Sequence, residues 1–283
     1  MSKAHTDTYE ISRDEFLYPY VKLIVFHSHE NADMERRYIF FPNVGASLTF
    51  YSDTDFYAES YNQFISREKK GCCGVVLQIN RIDPVEIIDI GKQKRVTIIF
   101  KPLGINHFIP SSLKEIQKDQ NPSAIKSVFV QGNQEVFACL TNPGLNEKKC
   151  DALRSFLRKN YHGFENAMLK EIVHLLLNNE KNDGLSVIGR QVGASTKTIN
   201  RLFNEHIRLS AVEFKRVCQF RNSVALRLSD NSSSFHKVAF ESNYYDLPYM
   251  MKAYRTFTRQ SAKQFFDALH ISANGLYLYQ EYL

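Results

Sequence analysis

A chain of 283 residues with 43% hydrophobic and 23% charged residues has the makeup of a globular protein and room for two separate cores. Its formal charge of +6 is unevenly placed, because residues 1–150 hold 18 Lys+Arg and 18 Asp+Glu whereas residues 151–283 hold 18 and 12. That composition excludes fibrous, low-complexity and disulfide-scaffold classes and points to a polyanion facing the C-terminal half, although solubilising surface lysines leave the same mark.

Five cysteines (Cys72, Cys73, Cys139, Cys150, Cys218) form an odd set without C-x-x-C spacing, so they are expected to be reduced packing residues. No signal peptide is recognisable and no apolar run approaches about 18 residues, so a cytoplasmic chain with no membrane partner is expected.

In chain order, the segment Tyr18–Lys101 reads as strands. Val21–Phe26, Tyr38–Phe41, Ser47–Tyr51, Val75–Ile79, Val85–Ile90 and Val96–Phe100 are rich in β-branched and aromatic residues. Turn signals separate them at Pro42-Asn43, Ser52-Asp53, Gly71, Asp83-Pro84 and Gly91-Lys92. Such spacing predicts an antiparallel barrel or sandwich. A short helix is expected at Ser112–Lys118. After Asn142-Pro143-Gly144 the pattern turns helical, with Cys150–Asn160 as a connecting helix and Phe164–Asn178 as the first helix of a second domain.

That second domain contains a short repeat. Arg208, Ser210, Ala211 and Phe214 spell R-x-S-A-x-x-F, and Arg259, Ser261, Ala262 and Phe265 spell it again 51 residues on. Phe203 matches Tyr254, and Arg201 matches Lys252, at the same offset. Two occurrences make one helical unit used twice rather than a repeat array.

Each copy predicts a helix-turn-helix. In the first, Leu185, Ile188 and Val192 form a buried face, Gly189 permits close helix approach, Gly193 suits a left-handed helix end and Ser195 caps the next helix. That helix turns Ile199, Leu202 and Phe203 inward, and Thr196, Lys197, Asn200 and Arg201 outward. Arg and Asn can pair with guanine and adenine edges, while Lys and Thr can hold phosphate; a solvated helix face is the plain alternative. In the second copy Ala239 is the small crossing residue, Pro248 sits near a helix start, and Met250, Ala253, Tyr254 and Phe257 form the buried stripe. Leu247, Tyr249, Met251, Lys252 and Arg255 are its outward candidates. Tyr249 and Met251 suit thymine methyl or sugar contacts, unless they are partly buried, and Lys252 and Arg255 suit phosphate. A helix over roughly Ala211–Leu228, with Phe214, Val217, Cys218, Val224, Ala225 and Leu228 as its apolar positions, joins the copies. At about 1.5 Å per residue it spans about 27 Å, which suits two reading helices in successive major-groove segments about 34 Å apart.

These residues resemble the DNA-binding domain of AraC/XylS-type transcription regulators. The match runs from about Phe164 to Phe265 through Ile188-Gly189, Val192-Gly193-Ala194-Ser195, Ile199, Leu202-Phe203, Arg221, Ala225, Leu228, Val238-Ala239, Tyr244, Asp246, Met250 and Ala253-Tyr254. The resemblance implies glycine where this chain has Asn243, Arg208 and Arg259, and proline where it has Ala211 and Ala262. It also implies Phe and Arg on the second reading helix, where Met250 and Lys252 stand. The two arginines at glycine positions add positive charge where phosphates can lie.

The expected fold class is therefore α+β: an N-terminal antiparallel β barrel or sandwich, cupin-like by the resemblance, then an all-α domain with two helix-turn-helix units joined by a long helix. The divisions are 1–145 as a sensor or dimerisation domain, 146–162 as a linker helix and 163–283 as the DNA-binding domain, with units at about 184–206 and 235–258. The expected function is sequence-specific DNA binding in transcription regulation, without enzyme activity, cofactor or metal. The interface residues are Ser195, Thr196, Lys197, Asn200, Arg201, Leu247, Tyr249, Met251, Lys252 and Arg255. Partners are double-stranded DNA and, as the family implies, a small-molecule effector, RNA polymerase and a second copy of the chain.

Two alternatives compete. His27-x-His29 with Glu35, followed by Pro102-x-Gly104-x-x-His107, resembles cupin metal motifs and would make the first half a metal-binding enzyme fused to a DNA-binding half. A repair protein or coactivator would need a reactive cysteine, for which Cys218 is the nearest candidate. The aromatics Phe40, Phe41, Phe50, Tyr51, Phe56 and Tyr57 are expected in the core, or lining an apolar ligand pocket.

Overall fold

A computed structural model describes residues 5–9, 16–33, 35–117, 125–126, 133–141, 146–179, 182–272 and 277–282. The expected turn at Asn142-Pro143-Gly144 lies outside them.

The first half holds strands β1 (His5–Tyr9), β2 (Val21–His29), β3 (Glu35–Phe40), β4 (Ser47–Ser52), β5 (Thr54–Ala58), β6 (Gln63–Glu68), β7 (Gly74–Gln78), β8 (Val85–Ile90) and β9 (Gln93–Phe100). A short 3₁₀ turn (Gly104–His107), α1 (Leu113–Gln117), β10 (Ile125–Lys126), α2 (Asn133–Thr141) and α3 (Asn146–Lys159) follow. The second half is α4 (Ala167–Leu177), α5 (Leu185–Val192), α6 (Thr196–His206), α7 (Ala211–Ser229), α8 (Phe235–Glu241), α9 (Leu247–Thr258) and α10 (Ala262–Asp267), closed by β11 (His270–Ser272) and β12 (Tyr277–Tyr282).

The strands make two sheets, ordered β1-β2-β9-β4-β7-β10 and β11-β12-β3-β8-β6-β5. The fold class is α+β, as the sequence predicts, with one departure: β6 and β8 run parallel, so the second sheet is mixed. Period-two alternation sorts the side chains between faces. Ile24, Phe26, Leu48, Phe50, Val96 and Ile98 turn outward onto α2 and α3, where Val136, Leu140, Leu153, Phe156 and Leu157 complete one core. Tyr51 and Val76 turn the other way and join Phe56, Phe64, Val85 and Ile87 of the second sheet. Phe50, Tyr51 and Phe56 are thus core residues, and Phe41 reaches across to Phe265 with ring centroids 4.9 Å apart.

Two elements pack across the expected divisions. The helix expected as a linker, α3, packs Cys150, Leu153, Phe156 and Leu157 into the first core. The chain's last strand returns to the β domain, pairing Tyr279 with Phe40 and Tyr282 with Arg37 on β3. Among the described residues no helix is long and apolar enough to cross a membrane.

Candidate nucleic-acid interface

The first unit forms because its sequence satisfies each helix end. Gly193 ends α5 with φ 67°, a conformation that costs glycine little. Ser195 caps α6, its Oγ accepting from the Thr198 amide at 3.1 Å. Any side chain at Gly189 would run into the Ala194 carbonyl, so α5 and the turn approach there without one. Ile188, Ile199 and Phe203 are fully buried against α4 residues Leu169, Ile172 and Leu176.

On the open side of α6, Ser195, Thr196, Lys197 and Arg201 are exposed. Arg201 rests on Glu205 at 3.1 Å, an exposed pair of small worth that DNA can break cheaply. Asn200 is a correction. It is half-buried, and its Oδ1 accepts from the Ala211 amide at 3.3 Å, so it ties α6 to α7 instead of facing out.

The second unit repeats the scheme. Ser234 caps α8, and Asp246 caps α9 by accepting from the Tyr249 amide at 2.7 Å. Met250, Ala253, Tyr254 and Phe257 form the buried stripe. Tyr249, Lys252 and Arg255 are exposed as expected. Leu247 and Met251 are not: both are half-buried against the second unit's core. Tyr245, 92% exposed just before the cap, was missed by the sequence reading. Its signal was an aromatic in a turn where the preceding Tyr244 already fills the core position.

Between the units, α7 is an unbroken helix of 19 residues, about 28 Å long. Ala211, Phe214 and Cys218 pack into the first unit's core, and Val217, Phe220 and Val224 into the second's. Ala225, expected to be apolar packing, is exposed, and Leu228 is half-buried. The repeated motif is a helix-start device. Ser210 and Ser261 cap α7 and α10 with complete capping boxes through Glu213 and Gln264, while Ala211, Ala262, Phe214 and Phe265 are buried just inside.

The three residues where the resemblance implies glycine all take left-handed backbone: φ is 68° at Arg208, 61° at Asn243 and 59° at Arg259. Two of them make tertiary ties. The Asn243 carbonyl accepts from Gln219 at 2.9 Å and from Asn182 at 3.1 Å, and Lys215 donates to the carbonyls of Asn182 and Asp183. This ladder along α7 locks the loop ahead of the first unit to the turn of the second. Arg208 donates to Gln117 Oε1 at 2.5 Å and to Asn204, tying α1 to the end of α6.

The seam between domains grips the far end of α6. Asn106 donates to the His206 carbonyl and Asn80 to the Ile207 carbonyl, each at 3.0 Å, satisfying acceptors a helix end leaves open. Val44 and Ile82 from β-domain loops wedge against the cores of both units. His107 and His206 flank Phe164, with ring centroids 5.9 and 5.0 Å from it, and burial lowers the pKa of both. Beside this seam is a cleft lined by Phe40, Phe41, Gln78, Asn80, Arg81 and Arg221. Burial lowers Arg81 and Arg221 to about 10. Lys22 on β2 falls to about 8, first by burial and then by the charge of Arg221.

The metal alternative does not assemble. Glu35 is a surface partner of Arg37, and His107 packs on Tyr20 at 4.4 Å. His27 sits beside Tyr38 and the buried Arg95–Asp89 pair. Among the described residues no group of three or more His, Cys, Asp or Glu side chains is placed to hold a metal ion. Cys218 is buried and its thiol is pushed up to about 12 by burial, the opposite of a reactive cysteine.

No family model and no curated protein matches the chain. It is similar to solved structures of ToxT from Vibrio cholerae. One has 12% identity over 94% of this chain and 98% of that one, with a TM-score of 0.43. Another, ToxT bound to (E)-4-(8-methylnaphthalen-1-yl)but-3-enoic acid, has 10% identity over 94% and 99%, with a TM-score of 0.44. A third, unsaturated fatty acid bound ToxT, has 10% identity over 94% and 96%, with a TM-score of 0.43.

Proposed function

We propose that this chain is a sequence-specific DNA-binding transcription regulator of the AraC/XylS type. The observation that carries the reading is a pair of helix-turn-helix units, each with an uncovered cationic reading helix, held on one continuous helix and locked by the Asn182–Lys215–Gln219–Asn243 ladder. Thr196, Lys197 and Arg201 of α6 would meet base edges and phosphate, with the exposed Ser195 at its start. Lys252 and Arg255 of α9 would anchor the second unit. Leu247 and Met251 support α9 from its flank, and Asn200 holds the helices in register.

The β domain is its sensor. Arg81, Asp83 and Arg221, each half-buried, line a cleft whose wall residue Asn80 also grips the end of α6. A cleft walled by Phe40 and Phe41 beside polar side chains suits a small-molecule effector. Its arrival would bear on the loop that holds the first reading helix. RNA polymerase and a second copy of the chain are the protein partners proposed for such a regulator. The chain acts by binding, not by catalysis.

Selection of bound sequences from a random DNA pool by the purified chain tests this reading. A two-part motif is expected, its halves about one helical turn apart. Binding without any enriched sequence would refute it.

A further inference from the structure

The two reading helices differ in the chemistry they present. A helix-turn-helix reads base edges with the N-terminal residues of its second helix. On α6 those exposed residues are Thr196, Lys197 and Arg201, all able to hydrogen-bond. At the start of α9 the exposed residues are instead Pro248 and Tyr249, with Tyr245 just before the cap Asp246, while Lys252 stands where α6 has Arg201 and Arg255 follows it. Tyr245 is 92% and Tyr249 44% exposed, so both rings are open to a partner at the start of α9. Tyr249 is held in place, its ring edge-on to the buried Tyr244 at 6.0 Å and its amide capped by Asp246. The two lysine and arginine side chains behind it match a phosphate backbone on the same face.

The only apolar group on the floor of the major groove is the thymine methyl. We propose that the second unit reads thymine methyls through Tyr245 and Tyr249, so that the chain's site has a hydrogen-bonded half under α6 and a methyl-read half under α9. This rests on the DNA-binding reading above.

The test replaces each thymine of the selected site in turn by deoxyuridine, which removes the methyl and leaves every hydrogen-bonding group. The full chain is titrated against each duplex at fixed salt. One or two thymines in the half protected by Lys252 and Arg255 are expected to lose about fourfold in affinity each. In Tyr245→Ser/Tyr249→Ser chains that penalty should vanish, while thymines under α6 behave as in the parent. Specific binding that tolerates uracil throughout the α9 half would overturn the proposal and leave the regulator reading intact. A uracil penalty that persists in the double variant would also overturn it. Failure of the parent chain to prefer any sequence would overturn both.

Discussion

At the scale of single residues, stability and recognition separate cleanly. Arg201 is exposed and weakly paired, so Arg201→Ala should leave folding unchanged and cost about 1–3 kcal/mol at its cognate base pair. Equal weakening on specific and random DNA would mean that it holds only backbone. Asn200 belongs to the other class: Asn200→Ala should cost about 1 kcal/mol of stability in denaturant melts, because the Ala211 amide loses its acceptor. Lys22 also bears on stability. Its folded pKa lies near 8, below its unfolded value of 10.5, so the folded state resists a proton that the unfolded chain accepts. That penalty is present in full below about pH 8 and relaxes as pH rises toward 10.5. Lys22→Met should therefore stabilise the protein at neutral pH by about 2 kcal/mol. A lower melting temperature in that variant would show that the lysine is already compensated.

The capping serines and Gly193 were legible at this scale because a cap depends on residues three or four apart. Asn200 was not, since its partner Ala211 lies on the next helix and the exposed-face periodicity of α6 includes it.

At the scale of elements, the sequence revealed every helix from α3 to α9 because each carries its own buried stripe and end signals. The strands β5 and β6 escaped notice. Thr54–Ala58 and Gln63–Glu68 mix polar and apolar residues, and their pattern makes sense only beside a barrel interior that also holds Ser66, Asp89 and Gln93. The strand β12 escaped because its partner β3 is more than two hundred residues upstream. Arg208 shows what local patterning hides: a glycine position filled by arginine looks like a fault, yet its guanidinium joins α1 to the end of α6. Relieving left-handed strain gains about 1 kcal/mol, so Arg208→Gly should change overall stability little while loosening the seam. Hydrogen exchange at Ile207 and Arg208 should quicken in that variant; unchanged exchange would show that the arginine is no tie.

At the scale of the whole molecule, the seam between domains carries its own pH dependence. His107 faces Lys170 and Glu165, and His206 faces Glu205, Arg201 and Glu115. Both have folded pKa values below the usual 6.5, so the unfolded or opened state takes up protons first. Stability contributed by the seam is complete above about pH 6.5 and declines as pH falls below it. Melting temperature should drop on acidification from pH 7 to 5, and His107→Phe/His206→Phe should flatten that slope; an unchanged slope would place the titration elsewhere.

The continuous α7, packed into the cores of both units, predicts a fixed separation of the two reading helices on DNA. Inserting five base pairs between the halves of the selected site turns one half to the opposite face of the duplex. Affinity is predicted to fall to the level of random DNA, and to recover partly when ten are inserted only if the chain can stretch. Undiminished binding to the five-base-pair insertion would contradict two units fixed on one helix.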